Sequence, residues 1–109
     1  MDITNEQRGD WQIMTVHGRL DAATAPDFDK SFQTIQDVVP LKVALDLAGL
    51  EYISSAGLRS ILAAGKKAHA SSGKIVFAGL AGMVEEVFRV SGFTAMFEFY
   101  SSVDEAVAS

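Results

Sequence analysis

The chain has 109 residues, no cysteine, and a formal charge of −5 from 14 acidic and 9 basic residues. This length suits one domain with its own core, and the missing cysteines exclude disulfides, thiolate metal sites and a cysteine nucleophile. The acidic balance argues against a nucleic-acid partner, because such proteins cluster basic residues and the largest basic cluster here is Lys66-Lys67.

The start of the chain predicts an antiparallel strand pair, residues 3–8 and 11–16, joined by the turn residues Gly9-Asp10. The helix that follows is predicted to be capped near Thr24. Its apolar side chains recur at spacings of four and three: Phe28, Phe32 and Ile35.

The middle of the chain predicts a strand, a helix and a second strand. Residues 41–47 form a nearly continuous apolar run, as expected of a central strand covered on both faces. A helical pattern spans residues 56–69, and Ser71 to Gly73 ends it before a buried strand at residues 75–78. This order implies a right-handed crossover and parallel pairing of the two strands.

The end of the chain predicts a helix that starts near Gly82, a strand from Met96 to Tyr100 and a short helix capped by Ser102. Core packing is expected of the large apolar side chains in this region, with a partner surface as the alternative: Phe93, Met96, Phe97 and Phe99. The elements together predict a single α/β domain with a mixed sheet of four to five strands and about four helices.

Membrane and export signals are not apparent in this sequence. No apolar run approaches the roughly 20 residues that a membrane helix needs. The segment from Met1 to Glu6 lacks the basic and apolar regions of a signal peptide. We therefore expect a soluble, cytoplasmic protein.

The residue sets on which most small enzymes depend are missing. Around Ser54 and Ser55 only the final glycine of the hydrolase motif Gly-x-Ser-x-Gly is kept, and neither His17 nor His69 has a carboxylate at metal spacing. Walker A and Gly-x-Gly-x-x-Gly sequences are absent, and the segment 79–82 (Gly-Leu-Ala-Gly) is only a weak echo of a phosphate loop. We expect no metal, no cofactor and no catalysis; a small serine-dependent or nucleotide-binding enzyme is the alternative hypothesis.

Two hydroxyls, Ser54 and Ser55, stand at the turn that opens the long helix. A helix N-terminus presents unpaired N–H groups and a positive dipole end, so a serine there can cap the helix or carry a phosphate. Because the carboxyl ends of parallel strands share one sheet edge, we expect Asp21 and Gly79 to lie near these serines. The residues alone leave capping and phosphorylation open.

Three parts of the chain carry a family pattern in order and spacing: Gly18–Thr24, then Leu45–Leu47 with Tyr52–Leu58, then Val90–Phe93. This pattern resembles the STAS domain of anti-sigma factor antagonists, which is also found in the cytoplasmic tails of sulfate transporters. The resemblance covers nearly the whole chain. It implies that residues 1–109 form one STAS domain.

The resemblance also implies a partner switch that regulates transcription. In that family, an anti-sigma factor that is also a serine kinase phosphorylates a serine at the start of the second long helix, and the unphosphorylated antagonist binds this kinase and frees the sigma factor. The motif places the phosphoacceptor at Ser55, with Ser54 as the alternative, and implies partner binding by Asp21, Ser54, Ser55 and Gly57. A phosphatase for the phosphorylated form is a further implied partner.

This chain departs from the family pattern on both sides of Ser55. Family members often carry Asp before the acceptor and Ser or Thr after it, whereas Ser54 and Ala56 stand here. The departure leaves the acceptor ambiguous between Ser54 and Ser55 and removes a charge that family members often carry there. An alternative function for the same fold also stays open. That alternative is a STAS-fold binding subunit of another assembly, such as a stress-signalling or lipid-transporter complex.

Overall fold

One mixed sheet organises the computed structural model of the protein, which describes residues 1–108. Its six strands are β1 (Asp2–Arg8), β2 (Trp11–Leu20), β3 (Lys42–Asp46), β4 (Leu50–Ile53), β5 (Lys74–Ala78) and β6 (Glu98–Tyr100). The helices are α1 (Ala25–Gln33), α2 (Ser55–Ala70), α3 (Gly82–Val90), α4 (Phe93–Met96) and α5 (Val103–Ala108).

The strand order is β1-β2-β3-β5-β6, with β1 antiparallel to β2 and the other neighbours parallel. Arg8 pairs with Trp11, so Gly9-Asp10 is the two-residue turn that the sequence predicted. The predicted α/β fold with a mixed sheet is therefore confirmed. Residues 1–108 contain six strands and five helices, slightly more than the predicted four to five and about four.

Strand β4 and helix α4 were not predicted, and each accounts for one wrongly predicted strand boundary. The sequence led the strand at residues 41–47 directly into the serine turn, but β4 lies between them and was missed because Glu51 and Tyr52 are exposed and interrupt the apolar pattern. The predicted strand from Met96 starts instead at Glu98. Gly92, with a φ of 82°, starts the short helix α4 that takes up Met96.

The main core lies between one face of the sheet and helices α1 to α3. Aromatic side chains fill its far end, where five phenylalanine rings contact one another: Phe77, Phe88, Phe93, Phe97 and Phe99. The core role expected of the terminal phenylalanines is confirmed. Met96 is the exception, because 53% of it is exposed.

The opposite face of the sheet is covered by α5. Ala106 is fully buried there and belongs to a second apolar cluster with Trp11, Ile13 and Val76. Ser102 caps this helix as predicted, since its hydroxyl accepts a hydrogen bond from the Glu105 N–H at 3.2 Å. Within residues 1–108, no helix is long and apolar enough to cross a bilayer.

Strand β2 positions the functional region because it pairs with two strands in turn. Its first half pairs with β3, the register shifts between Gly18 and Arg19, and its end pairs with β4. Leu20 lies opposite Ile53 at the end of this second pairing. The chain therefore leaves β2 and β4 at the same point.

Replacing Ala106 by Glu tests the role of α5. The new carboxylate would enter the apolar cluster without a partner, so we expect the free energy of unfolding to fall by about 3 kcal/mol or more. Urea unfolding followed by the fluorescence of Trp11, the single tryptophan, measures this change. Ala108→Glu is the control, because Ala108 is exposed on the same helix, and a loss as large there would contradict the assigned packing.

Candidate functional site

Ser54 caps helix α2. Its backbone is extended, with φ −101° and ψ 176°, and its hydroxyl accepts a hydrogen bond from the Gly57 N–H at 3.4 Å. Its own N–H donates to the carbonyl of Leu20 at 2.9 Å, which ties the start of α2 to the end of β2. Capping, the first of the two uses that the sequence left open, is therefore present at Ser54.

Ser55 is the first residue of α2 and is exposed. Within residues 1–108 its hydroxyl makes no hydrogen bond, in contrast to the hydroxyl of Ser54. It lies where free N–H groups and the helix dipole favour a negative charge. The two adjacent serines thus have different surroundings: one is engaged in the fold and the other is available to a partner.

Asp21 organises the loop between β2 and α1. Its Oδ1 accepts hydrogen bonds from the N–H groups of Ala23 at 3.0 Å and Thr24 at 3.2 Å. The Thr24 hydroxyl lies 2.8 Å from the carbonyl oxygen of Arg19, to which it donates, and accepts from the Asp21 N–H. Thr24 occupies the N-cap position of α1, as predicted, but its side chain braces this loop and makes no helix-cap hydrogen bond.

The Asp21 carboxylate is held in its charged form. Partial burial acts to raise its pKa, but the hydrogen bonds from Thr24 and Ala23, together with the charge of Arg19, outweigh burial and hold the pKa below its usual value. Its side chain is 29% exposed. The site therefore presents a fixed negative charge near the start of α2.

The Leu20 carbonyl, which precedes Asp21 in the chain, accepts from the Ser54 N–H, and the Ser54 hydroxyl accepts from the Gly57 N–H, so Asp21, Ser54 and Gly57 are linked through short contacts. Gly57 is buried, and a Cβ added to it would lie 2.7 Å from the carbonyl oxygen of Leu20, so it allows α2 to pack closely against β2. A part for Gly57 in partner binding stays a prediction and would be indirect. Gly79 contacts Ala48, in the loop between β3 and β4, and its expected place near the serines, which follow β4, stays a prediction.

An exposed pair of side chains, Arg19 and Tyr52, was missed by sequence reasoning. The guanidinium carbon of Arg19 lies 4.2 Å from the centre of the Tyr52 ring, and its Nε lies 3.9 Å from Asp21 Oδ2. Both residues lie within the family motifs, but 33 positions separate them in the sequence. The pairing of β2 with β4 brings them together, and no local pattern indicates that pairing.

Known proteins share both sequence and fold with this chain. The STAS domain family model matches residues 2–106. BtrV of Bordetella bronchiseptica, a candidate anti-sigma factor antagonist, is 33% identical over 109 residues, which cover all of this chain and 94% of BtrV. The chain belongs to the STAS domain family, and its predicted resemblance to the anti-sigma factor antagonists of that family is confirmed.

Solved structures agree on the fold. An anti-sigma factor antagonist domain protein from Planctomyces limnophilus has a TM-score of 0.90 at 19% identity, covering 99% of this chain and 97% of that one. The Bacillus cell fate determinant SpoIIAA in its phosphorylated form has a TM-score of 0.76 at 16% identity, and the match covers 98% of this chain and 97% of SpoIIAA. At such identities the likeness establishes the fold alone.

Alanine substitutions separate the two serines by their effect on stability. Ser54→Ala removes the cap of α2 and is expected to lower the free energy of unfolding by about 1 kcal/mol. Ser55→Ala removes an exposed hydroxyl without a bonding partner in residues 1–108, so a change within about 0.5 kcal/mol is expected. Urea unfolding of both variants measures the difference, and equal losses would contradict the assigned cap.

The pH dependence of stability tests the charge of Asp21. Because the folded-state pKa of Asp21 lies below its ordinary value of 3.8, ionised Asp21 stabilises the fold above that pH, and this contribution is lost as the pH falls through the lowered pKa. Wild type is expected to be more stable than Asp21→Asn at pH 5 to 7, and the difference to shrink below about pH 4. Unfolding free energies measured from pH 7 to pH 2 give this comparison.

Asp37→Asn is the control, because it removes the same charge from an exposed carboxyl that makes no hydrogen bond within residues 1–108. If the difference in unfolding free energy between wild type and Asp21→Asn did not change with pH, the loop would not stabilise the ionised carboxylate of Asp21.

Proposed function

We propose that this protein is an anti-sigma factor antagonist that acts in the cytoplasm and is switched by phosphorylation of Ser55. The unphosphorylated form binds an anti-sigma factor with serine kinase activity and thereby frees the sigma factor; a phosphatase restores this form. The observation that carries the proposal is the exposed, unbonded hydroxyl of Ser55 at the start of α2. Membership of the STAS family and the full-length similarity to BtrV support it.

The two serines differ as phosphoacceptors. In the transfer, the hydroxyl oxygen attacks the γ-phosphorus of kinase-bound ATP, a new P–O bond forms, the bond to ADP breaks, and the hydroxyl proton passes to a base of the kinase. The oxygen of Ser55 is free to approach ATP in this way. A phosphate on Ser54 would disturb the cap that its oxygen makes with the Gly57 N–H, so Ser54 is the less suitable acceptor.

Phosphorylation would act through charge, with little change of shape. It adds about 1.5 to 2 negative charges at one hydroxyl. The domain tolerates them, because a helix N-terminus favours anions by roughly 0.3 to 1 kcal/mol. A partner face that already accommodates ionised Asp21 would have to bury a dianion as well, which costs several kcal/mol without a matching cation.

A binding role is favoured over catalysis by the surroundings of the two serines. Within residues 1–108, neither hydroxyl is hydrogen-bonded to a histidine, an acid or a lysine that could act as a base. The same residues contain no group of three or more side chains suited to hold a metal ion. A nucleophilic serine needs a neighbouring base or a coordinated metal ion to activate its hydroxyl.

Phosphosite mapping tests the proposed acceptor. Wild type, Ser54→Ala and Ser55→Ala are incubated with ATP and, one at a time, with the purified anti-sigma factors of the host. We expect wild type and Ser54→Ala to gain one phosphoryl group and Ser55→Ala to gain none. Loss only in Ser54→Ala would move the site by one residue, and no phosphate on any variant would overturn the switch in favour of a constitutive binding subunit.

Binding measurements test the consequence of that charge. Ser55→Asp is expected to weaken binding to the anti-sigma factor by about 30-fold or more, which corresponds to about 2 kcal/mol. Ser55→Ala should bind like wild type and resist modification. Thr94→Asp adds the same charge at an exposed position on α4 and is the control; equal binding by wild type and Ser55→Asp would exclude the mechanism.

A further inference from the structure

We propose that Arg19 and Tyr52 form a preorganised docking element for the anti-sigma factor. The inference rests on the proposed function and adds to it the residues that recognise the partner. It also defines the partner surface by its chemistry: a carboxylate that meets the guanidinium, and a flat apolar contact for the tyrosine ring.

The two side chains are held together on the outer surface. They face each other across the β2–β4 pairing, and the guanidinium stacks on the ring at 4.2 Å from its centre. The Arg19 side chain is 61% exposed and Tyr52 is 41% exposed. Stacking of this kind is worth only about 0.5 to 1 kcal/mol at an exposed site, so it orders the pair without contributing much to stability.

The polar groups of the pair retain unused bonding capacity. The nearest acid to Arg19 is Asp21, whose Oδ2 lies 3.9 Å from Nε, beyond hydrogen-bond length. Within residues 1–108, no acceptor bonds the guanidinium and no group bonds the Tyr52 hydroxyl. A partner carboxylate can therefore accept two N–H groups of the planar guanidinium at once.

The pair is continuous with the proposed phosphorylation site. Arg19 Nε lies 3.9 Å from Asp21 Oδ2, and Tyr52 stands two positions before Ser54 in the chain. The intervening residues, Leu20 and Ile53, are buried. The stacked pair therefore adjoins Asp21 at the end of β2 and the serines that follow β4.

The residue types also suit an interface centre. Tyrosine and arginine are enriched among the few residues that dominate binding energy. Ordering two long side chains on binding normally weakens an interface, and here the stack has already ordered them. Because the fold uses these side chains only in their exposed stack and in the exposed 3.9 Å ion pair of Arg19 with Asp21, their removal should affect binding far more than folding.

Affinities of purified variants for the host anti-sigma factor that binds wild type test the proposal. Arg19→Ala and Tyr52→Ala are each expected to weaken binding at least tenfold, and their combination by less than the product, because each side chain orders the other. Arg19→Lys should recover only part of the loss, since an ammonium cannot offer the planar pair of donors. Arg89→Ala removes an equal charge from an exposed position on α3, and its affinity should stay within twofold of that of wild type.

The outcomes separate this proposal from the function on which it rests. If Ser55→Asp weakens binding but both alanine variants stay within twofold of wild type, the docking element is overturned and the phosphorylation switch stands. If the urea unfolding midpoints of Arg19→Ala and Tyr52→Ala fall in parallel with their affinities, the loss of affinity is caused by unfolding. The docking element is then likewise overturned. If wild type binds none of the anti-sigma factors, both proposals fail.

Discussion

The hydrogen bond from the Ser54 N–H to the Leu20 carbonyl, 2.9 Å long, is the contact on which the functional region depends. It joins the last residue of β2 to the cap of α2, and the close approach at Gly57 leaves no room for the helix to move nearer to Leu20. The loop of Asp21 and the start of α2 consequently form one continuous surface.

That surface combines fixed charge with one free hydroxyl. The Asp21 carboxylate is held by backbone and side-chain donors of its own loop, and Ser54 is engaged by Gly57. Ser55 alone of these three has a side chain with no bond inside residues 1–108. The polar contacts of the fold thus hold Asp21 and Ser54 in place, whereas the hydroxyl of Ser55 stays accessible.

The sequence predicted the parts of this arrangement that depend on local chemistry. Serine before an apolar helical pattern indicated the cap, and the hairpin followed from Gly9-Asp10. Strand β4 escaped prediction because two of its four residues are exposed, which hides a strand from the apolar pattern. Arg19 and Tyr52 could not be paired for the same reason, since their contact exists only where β4 joins β2.

The brevity of β4 has a further consequence for the protein in solution. An open sheet edge presents unpaired N–H and carbonyl groups that can pair with a strand of another molecule, and long flat edges promote aggregation in this way. Strand β4 is four residues long and β6 is three, while the outer strand β1 carries the charged residues Asp2, Glu6 and Arg8. Each of these edges is thus too short or too charged for ready addition of a further strand.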